Sequence, residues 1–297
     1  MPLARPNDIV LSLNGLPRRE TARTLRNMII RICVSTLLAA MIATAAEVGP
    51  ERGQLLIAGG NLRGQRILRA FVQLAGEEQA RLVIIPTAAT DEGLDDDDVE
   101  LFRELGVTNI VVLHTRNREK ADTEEFAKPL KSATAVWMSG GRQWRLADAY
   151  LGTKVLVGIQ NVLDRGGIVG GGSAGASIMG SYLVRGDSRS NEPIMGDHEV
   201  GFGLLKQVGI DQHLLARNRQ FDLVKLIEAK PELLGIGLDE NTAILVTGDE
   251  FEVMGTSYVA IYDRGWMKEN DKPFYLLSPG QRFDLAARSP IRAKRRR

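Results

Sequence analysis

Residues 169–177, VGGGSAGAS, place one serine inside a run of glycine and alanine just past the middle of the chain. Gly171, Ser173 and Gly175 match the pattern Gly-x-Ser-x-Gly, in which a serine occupies a sharp turn between a strand and a helix. Such a turn exposes the hydroxyl, and the first N–H groups of the helix can stabilise a developing oxyanion. The segment predicts either a nucleophilic Ser173 or a tight strand–helix connection that only requires glycine.

A serine nucleophile needs a general base, and the chain contains three histidines. His114 ends the apolar run NIVVLH, at the edge of a predicted sheet where α/β sites lie. His198 lies in the polar loop MGDHEVG and is expected to be solvated. His213 follows Ser173 by about forty residues, and four polar or charged residues crowd around it: Asp211, Gln212, Arg217 and Arg219. The order serine then histidine suits this type of fold, and we interpret this segment as functional.

Alternating strands and helices position these residues. Apolar strand patterns are QLLIAGG, ARLVIIPTA, TNIVVLHT, TAVWMSGG and GIVGGGS, and the segments between them have the spacing of amphipathic helices. Strands that are apolar on both faces are typical of a parallel sheet covered by helices. From residue 233 onward, short strand patterns separated by DEN, GDE and GTS predict antiparallel strands that extend or flank that sheet.

Composition excludes several function classes. The chain has 297 residues, a net charge of +1 and 5% aromatic residues. A nearly neutral chain with few aromatic residues does not have the composition of a nucleic-acid-binding protein. The single cysteine, Cys33, excludes a disulfide framework and a cysteine-based zinc site. The consecutive aspartates at 95–98 are typical of a solvated helix start, because neighbouring helical residues point in different directions. We therefore expect no metal and no organic cofactor.

The N-terminal region predicts secretion. From Met28, the basic Arg31 precedes an apolar run at residues 32–42 and the small residues ATAA, as in a signal peptide cleaved near Ala46. A buried core helix is the alternative. We expect Met28 to be the true start, the mature chain to be secreted or periplasmic, and no membrane segment to remain. The predicted organisation is an extension with a signal peptide at residues 1–46, one α/β hydrolase domain at 47–285, and a basic disordered tail at 286–297.

Seven motifs occur in an order that resembles the cyanophycinase-type members of the S51 serine peptidases, a group that also holds the α-aspartyl dipeptidases called peptidase E. They are LLIAGG, VIIPTA, MSGGRQ, GGGSAGAS, RGDS, DQHLLARNRQFDL and GIGLDENTAILV. The resemblance implies a three-layer sandwich of the flavodoxin-like, class I glutamine-amidotransferase-like type, with a mostly parallel sheet. It also implies a homodimer.

The same resemblance implies roles for individual residues. Ser173 corresponds to the nucleophile and His213 to the base, with the amides of Gly141 and Ala174 as the oxyanion hole. The residues that correspond to a pocket for a β-linked aspartyl–arginine unit are Gln143, Asp211, Gln212, Arg217 and Arg219. Guanidinium groups suit substrate carboxylates, and a carboxylate such as Asp211 suits an arginine side chain or an amine.

The chain departs from the family pattern at several positions. Arg142 replaces the aspartate of the family's Gly-Gly-Asp-Gln loop, Asp222 stands where cyanophycinases carry a third arginine, and the acidic position after the first glycine pair is missing, since residues 61–63 read Asn-Leu-Arg. The position expected for the acid behind the histidine falls near Arg189 or Ser190, so we favour Glu192 for that role, with Asp187 as the alternative. The segment Asp239 to Asn241 is interpreted as a structural turn near the site.

These observations predict a serine peptidase that cleaves aspartyl bonds, of which β-aspartyl-arginine is one candidate. Three alternatives remain from the sequence: a peptide-binding homologue without catalysis, an α-aspartyl dipeptidase, and an esterase-like α/β-hydrolase. The esterase alternative is disfavoured because several strands follow His213.

Overall fold

A computed structural model describes residues 48–63, 65–90 and 97–292 of the chain. The predicted extension and signal peptide at residues 1–46 lie outside the described residues, as does the end of the basic tail. Along the described chain the strands and helices are β1 (Gln54–Ala58), α1 (Arg66–Ala75), β2 (Arg81–Ile85), α2 (Asp97–Glu104), β3 (Asn109–Val112), α3 (Arg118–Ala121), α4 (Glu124–Ala127), β4 (Ala135–Met138), α5 (Gln143–Tyr150), α6 (Lys154–Asp164), β5 (Ile168–Gly172), α7 (Ala174–Ser177), β6 (Gly180–Tyr182), β7 (Leu205–Gln212), α8 (Asp222–Ala229), β8 (Leu234–Leu238), β9 (Thr242–Thr247), β10 (Glu250–Gly255), β11 (Val259–Tyr262), α9 (Arg264–Asn270), β12 (Tyr275–Leu277), β13 (Arg282–Asp284) and β14 (Ser289–Ile291).

Two sheets organise these strands. The larger sheet has nine strands in the order β14-β13-β10-β9-β1-β5-β4-β2-β3. Its five N-terminal strands run parallel to one another, and β9, β10, β13 and β14 are antiparallel additions that begin beside β1. The smaller sheet has five strands in the order β12-β11-β8-β7-β6, in which β6, β7 and β8 run parallel. The predicted α/β class with a mostly parallel sheet is confirmed.

Alternation of apolar side chains along the strands creates two faces on the larger sheet. In β1, Leu56 packs with helices α1 and α2, whereas Leu55 and Ile57 face a second core shared with α5, α6 and the smaller sheet. The outer face of the smaller sheet is covered by α8, where Leu223 contributes to a third core. Strands β1, β2, β4 and β5 are therefore buried on both faces, as their continuous apolar patterns predict, whereas the edge strand β3 is mostly exposed.

The C-terminal strands divide between the sheets. The sequence predicts strands that extend or flank the parallel sheet, and both occur: β9 and β10 extend the larger sheet, whereas β8 and β11 belong to the smaller one. The chain therefore crosses between sheets at residues 239–241 and again at 256–258. Residues Ser289–Ile291, which the sequence analysis assigned to a disordered tail, form strand β14 beside β13. None of the described helices is long and apolar enough to cross a membrane.

Candidate active site

Ser173 occupies the turn between β5 and α7, at the carboxyl end of a central parallel strand. Its backbone has φ 55° and ψ −112°, a conformation that costs a non-glycine residue on the order of 1–3 kcal/mol. The side chains around this turn are small because β5 ends in three glycines and α7 contains only glycine, alanine and serine. This is the geometry of the nucleophile turn that the Gly-x-Ser-x-Gly pattern predicts.

His213 reaches this serine from the other sheet. It follows the last residue of β7, and its Nε2 lies 2.9 Å from Ser173 Oγ. His213 is itself in the left-handed region, with φ 53°, and only 7% of its surface is exposed. The site therefore lies where the carboxyl ends of strands from the two sheets meet.

The residues at and after the end of β1 fix the relative positions of the Ser173 turn and the His213 segment. The carbonyl oxygens of three successive residues, 58–60, accept the backbone N–H groups of Ser173 at 3.0 Å, His213 at 3.1 Å and Asn241 at 2.9 Å. Gly60 has φ 101°, and a Cβ placed there would lie 2.5 Å from Cε1 of the His213 ring. Gly60 is therefore required by the close approach of the imidazole, whereas a Cβ on Gly59 would lie 2.1 Å from the carbonyl oxygen of Asp239.

Glu240 is the carboxylate behind His213. Its Oε1 lies 2.8 Å from His213 Nδ1, so the imidazole is bonded at both nitrogens. The Asn61 amide donates to the other oxygen, Oε2. Glu240 lies in the segment between β8 and β9 where the chain crosses between the sheets. The sequence analysis treated residues 239–241 as a structural turn, and the signal it missed was a pair of acidic residues, Asp239 and Glu240, directly after a fully buried strand.

Glu192 and Asp187, the two acids favoured from the sequence, lie elsewhere. The carbonyl oxygen of Glu192 accepts a hydrogen bond from Arg185, and the Asp187 carboxylate accepts the backbone N–H groups of Arg189 and Ser190. The assignment of Glu192 to the acid behind His213 is therefore corrected to Glu240. The reason is topological, because residues 187–192 form a loop after β6, whereas residue 240 leaves the strand adjacent to β7.

The electrostatic environment lowers the pKa of His213 and so favours the neutral imidazole. Burial lowers the pKa of His213, and the charges of Arg217 and Arg219 lower it further, against the opposing effect of Glu240. The pKa of Glu240 is lowered by its hydrogen bonds to Asn61 and His213. A neutral imidazole beside a hydroxyl, with an ionised carboxylate behind it, is the state required of a general base.

The segments that carry the amides expected to form an oxyanion hole adjoin the serine. Gly140 and Gly141 follow β4, and a Cβ built on Gly140 would lie 3.5 Å from Ser173 Cβ. Gly141 has φ 137°, and a Cβ there would meet the Ala88 carbonyl oxygen at 2.2 Å. Ala174 is the first residue of α7, so its N–H has no carbonyl partner within the helix.

Asp211, expected to bind substrate, is instead part of an internal ion pair. Its side chain is fully buried, and each carboxylate oxygen accepts a 2.9 Å hydrogen bond from Arg185. Arg185, from the RGDS motif, also donates to Asp222 and to the backbone carbonyls of Asn191 and Glu192. All five N–H groups of this buried guanidinium thus have acceptors. Asp222, which stands where cyanophycinases carry an arginine, compensates the Arg185 charge.

The other expected pocket residues divide by exposure. Gln143 is fully buried, and its amide nitrogen donates to the carbonyls of Val184 and Arg185 at 2.8 Å, so it supports the loop. Arg219 is 6% exposed and approaches the backbone oxygen of the buried Gln212 at 3.3 Å. Arg217 is exposed beside His213, whose carbonyl accepts the Arg217 N–H.

Arg142 and the two remaining histidines have structural partners. The Arg142 guanidinium donates 2.8 Å to the carbonyl of Asp187, which links the glycine loop after β4 to the RGDS loop. His114 Nδ1 lies 3.0 Å from Thr87 Oγ1. His198, expected to be solvated, has Nδ1 2.7 Å from Asp197 and Nε2 2.9 Å from Asp148.

Two curated relatives are similar to this chain over more than two thirds of its length. The cyanophycinase of Geminocystis herdmanii (strain PCC 6308) is 34% identical over 220 residues, which cover 71% of this chain and 81% of that protein. The cyanophycinase of Trichormus variabilis (strain ATCC 29413 / PCC 7937) is 31% identical over 264 residues, covering 82% of this chain and 89% of that protein.

Solved structures support the fold. The crystal structure of a peptidase from an acI-B1 Actinobacterium has a TM-score of 0.57 at 24% identity and covers 78% of this chain and 97% of that one. A putative peptidase E from Listeria monocytogenes EGD-e has a TM-score of 0.51 at 16% identity, over 69% of this chain and 99% of that one. The model of peptidase family S51 matches residues 55–254. The chain belongs to peptidase family S51, as a serine hydrolase of the cyanophycinase type.

Proposed function

We propose that this peptidase hydrolyses aspartyl peptide bonds through Ser173, His213 and Glu240. The observation that carries the proposal is the continuous chain of contacts, 2.9 Å from Ser173 Oγ to His213 Nε2 and 2.8 Å from His213 Nδ1 to Glu240 Oε1. Glu240 accepts the Nδ1 proton, which leaves Nε2 unprotonated toward the serine.

The reaction follows from this arrangement. His213 Nε2 takes the Ser173 proton while Oγ attacks the carbonyl carbon, and the backbone amides of Gly141 and Ala174 bind the resulting oxyanion. Collapse of the intermediate breaks the peptide bond, and His213 returns the proton to the leaving amine. A water molecule, deprotonated by His213, then hydrolyses the acyl ester and restores Ser173.

The substrate class rests on the relatives and on the charges near the site. Two relatives are named for their action on cyanophycin, and the chain covers more than two thirds of each. The exposed Arg217 beside His213 offers a guanidinium to a substrate carboxylate. An aspartyl peptide supplies that carboxylate, in either the α- or the β-linked form.

Product identification by mass spectrometry tests the proposal. The enzyme is incubated with cyanophycin, β-aspartyl-arginine, α-aspartyl dipeptides and an acetyl ester. We expect hydrolysis of at least one aspartyl substrate, its loss in Ser173→Ala, and its retention in the control Ser289→Ala, which alters an exposed serine in β14. Turnover by Ser173→Ala equal to that of the parent enzyme, or hydrolysis of the ester alone, would overturn the proposal.

A peptide-binding role without catalysis is the second candidate. It predicts that the parent enzyme binds aspartyl peptides and releases no product. The paired contacts on His213 support catalysis over this role, because a binding protein does not require a histidine bonded at both nitrogens.

We also propose that the chain is secreted. The supporting observation is the sequence of residues 28–46, with its basic start, apolar run and small residues before Ala46.

A further inference from the structure

The turn that follows β2 contacts the glycine loop after β4, which carries one of the two oxyanion amides of the proposed mechanism. This turn, residues 86–89, is closed by a 2.9 Å hydrogen bond between the backbone groups of its first and last residues. The Ala88 carbonyl accepts the N–H of Arg142 at 2.8 Å. A Cβ on Gly141 would lie 2.2 Å from the Ala88 oxygen and 2.7 Å from the next backbone nitrogen. The position of the Gly141 backbone therefore depends on the position of the 86–89 turn.

Thr87 holds the 86–89 turn through buried hydrogen bonds. Its side chain is fully buried, and Oγ1 lies 2.6 Å from the Tyr150 hydroxyl and 3.0 Å from His114 Nδ1. Tyr150 is also fully buried, and its hydroxyl oxygen accepts the backbone N–H of Thr115 at 3.2 Å. Buried hydrogen bonds of this kind fix positions strongly, because a group that leaves its partner finds no water to replace it.

Helix α5 joins the glycine loop to this network. The helix begins directly after Arg142 and ends at Tyr150. The 86–89 turn is therefore bound at both ends of α5, by the Arg142 N–H before its first residue and by the Tyr150 hydroxyl at its last. Within the first turn of the helix, Arg145 Nη1 donates to the same Ala88 carbonyl at 3.0 Å. The 86–89 turn, the glycine loop and α5 thus form a closed ring of contacts beside the nucleophile.

We propose that Tyr150 and Thr87 are positioning residues for the oxyanion amide of Gly141. Their hydrogen bond fixes the turn against which Gly141 packs, and through it the direction of the Gly141 N–H relative to Ser173. Oxyanion donors act because they are oriented before the reaction, and a misplacement of about 1 Å can lower the rate by ~10²-fold. The proposal rests on the serine mechanism of the proposed function, though not on the aspartyl class of substrate.

Removal of either hydroxyl from the full-length enzyme tests this role. Tyr150→Phe and Thr87→Val both delete the hydrogen bond with little change in side-chain shape. We expect each variant to lower kcat by about 10- to 100-fold and to leave KM within about twofold of the parent value, because the oxyanion amides act in the transition state. Thr87→Ser keeps the hydroxyl and is expected to retain kcat. A rise in KM with unchanged kcat would contradict the proposal.

Tyr262→Phe is the matched control. Tyr262 is fully buried in the smaller sheet, and its hydroxyl donates to the Gln220 carbonyl at 2.8 Å, so the variant also loses one buried hydrogen bond. We expect it to lower the Tm to a similar extent as Tyr150→Phe but to retain kcat. An equal fall of kcat in Tyr262→Phe and Tyr150→Phe would show a general effect of lost stability and would remove the positioning role.

The double variant tests whether the two hydroxyls act together. If Tyr150 and Thr87 act through their shared hydrogen bond, Thr87→Val combined with Tyr150→Phe lowers kcat about as much as the more damaging single change. Losses that multiply would mean that the two side chains act independently, against the proposal.

A fluorophosphonate probe separates this inference from the identity of the substrate. Ser173 Oγ forms a bond to phosphorus as fluoride leaves, His213 takes the serine proton, and the phosphoryl oxygen is expected at the oxyanion position. We expect Tyr150→Phe to lower the labelling rate, followed by intact-protein mass spectrometry, by about tenfold, and Tyr262→Phe to leave it unchanged. Equal labelling of Tyr150→Phe and the parent enzyme would overturn the inference.

The two proposals fail in different ways. Labelling that depends on Tyr150, together with no hydrolysis of any aspartyl substrate, would reject the proposed substrate class and leave the positioning role standing. Hydrolysis of an aspartyl substrate with the same kcat in Tyr150→Phe, Thr87→Val and the parent enzyme would reject the positioning role alone. A parent enzyme that is neither labelled nor active would reject both.

Discussion

His213 receives a distinct constraint from each side of its ring. Ser173 and Glu240 bond its two nitrogens, and the absent side chain of Gly60 leaves room for Cε1. Asn61 then fixes the second oxygen of Glu240, and Asn61 is itself in the left-handed region with φ 45°. The orientation of the imidazole therefore depends on residues that follow the ends of β1, β5 and β8.

Glu240 provides the sharpest test of this arrangement. Glu240→Gln keeps the shape of the side chain but lets the amide stabilise the wrong tautomer of His213. We expect kcat to fall by about 10²–10⁴-fold, with the lower end favoured because the carboxylate is 27% exposed. Steady-state kinetics on the aspartyl substrate measure the effect. Glu192→Gln is the control, and an equal loss in both variants would contradict the assignment.

The pH dependence follows from the same residues. Catalysis requires neutral His213, so kcat/KM falls as the pH is lowered through the pKa of His213. Burial and the charges of Arg217 and Arg219 lower this pKa, which places the acid limb of the profile below about 6.5. Arg217→Gln is expected to move the limb to higher pH, and Arg217→Lys to leave it near its original position. A profile that is the same in both variants would exclude the electrostatic role of Arg217.

At the scale of elements, the buried Arg185 joins the loop after β6 to the end of β7 and the start of α8. Breaking a buried pair by removing one partner costs roughly 3–5 kcal/mol, because the remaining charge is left without compensation. We expect Asp211→Asn to lower the free energy of unfolding by about this amount in urea titrations.

Asp222→Asn is the matched variant, since its side chain is 39% exposed where Asp211 is fully buried. We expect a loss of about 1 kcal/mol or less for this exposed partner. If the two variants lost equal stability, the difference in burial would not be the controlling factor.

His198 connects the RGDS loop to α5. Burial opposes ionisation of His198, but hydrogen bonds to Asp197 and Asp148 raise its pKa, and only the doubly protonated ring donates to both. A raised pKa contributes stability that is complete below the unfolded value of about 6.5 and is lost as the pH rises through the folded value. His198→Gln should therefore lower Tm at pH 6 and differ less from the parent enzyme at pH 9. A constant Tm difference across this range would argue against the ion pairs.

Predictability from the sequence also differs between elements. The strands of the larger sheet could be predicted because their apolar runs and glycine-rich ends are local signals. The division of β8 and β9 between two sheets could not, since both read as short buried strands. Similarly, Asp211 resembled a binding residue because its partner Arg185 lies 26 residues away in the chain. Glu240 was missed because an Asp-Glu-Asn turn has the composition of an exposed loop.

At the scale of the whole molecule, the segment before β1 is hydrogen-bonded to parts of both sheets. The backbone N–H groups of Val48 and Gly49 donate to Asp249 Oδ1 at 2.7 and 2.9 Å, and the Val48 carbonyl accepts the N–H of Lys206. These bonds attach the segment before β1 to residues that follow β9 and lie in β7. A chain that begins at residue 47 keeps these three hydrogen bonds.

This arrangement predicts the behaviour of a shortened protein. A chain that starts at Glu47 should fold, with Tm and kcat/KM within error of those of the protein purified after secretion, whose first residue we expect to be Glu47 by N-terminal sequencing. A second chain that starts at Gly53 loses the Asp249 hydrogen bonds and should unfold at a lower temperature, because the Asp249 carboxylate is left without these donors. Cleavage well inside residues 48–53, or equal Tm values for the two chains, would contradict a stabilising role for the segment before β1.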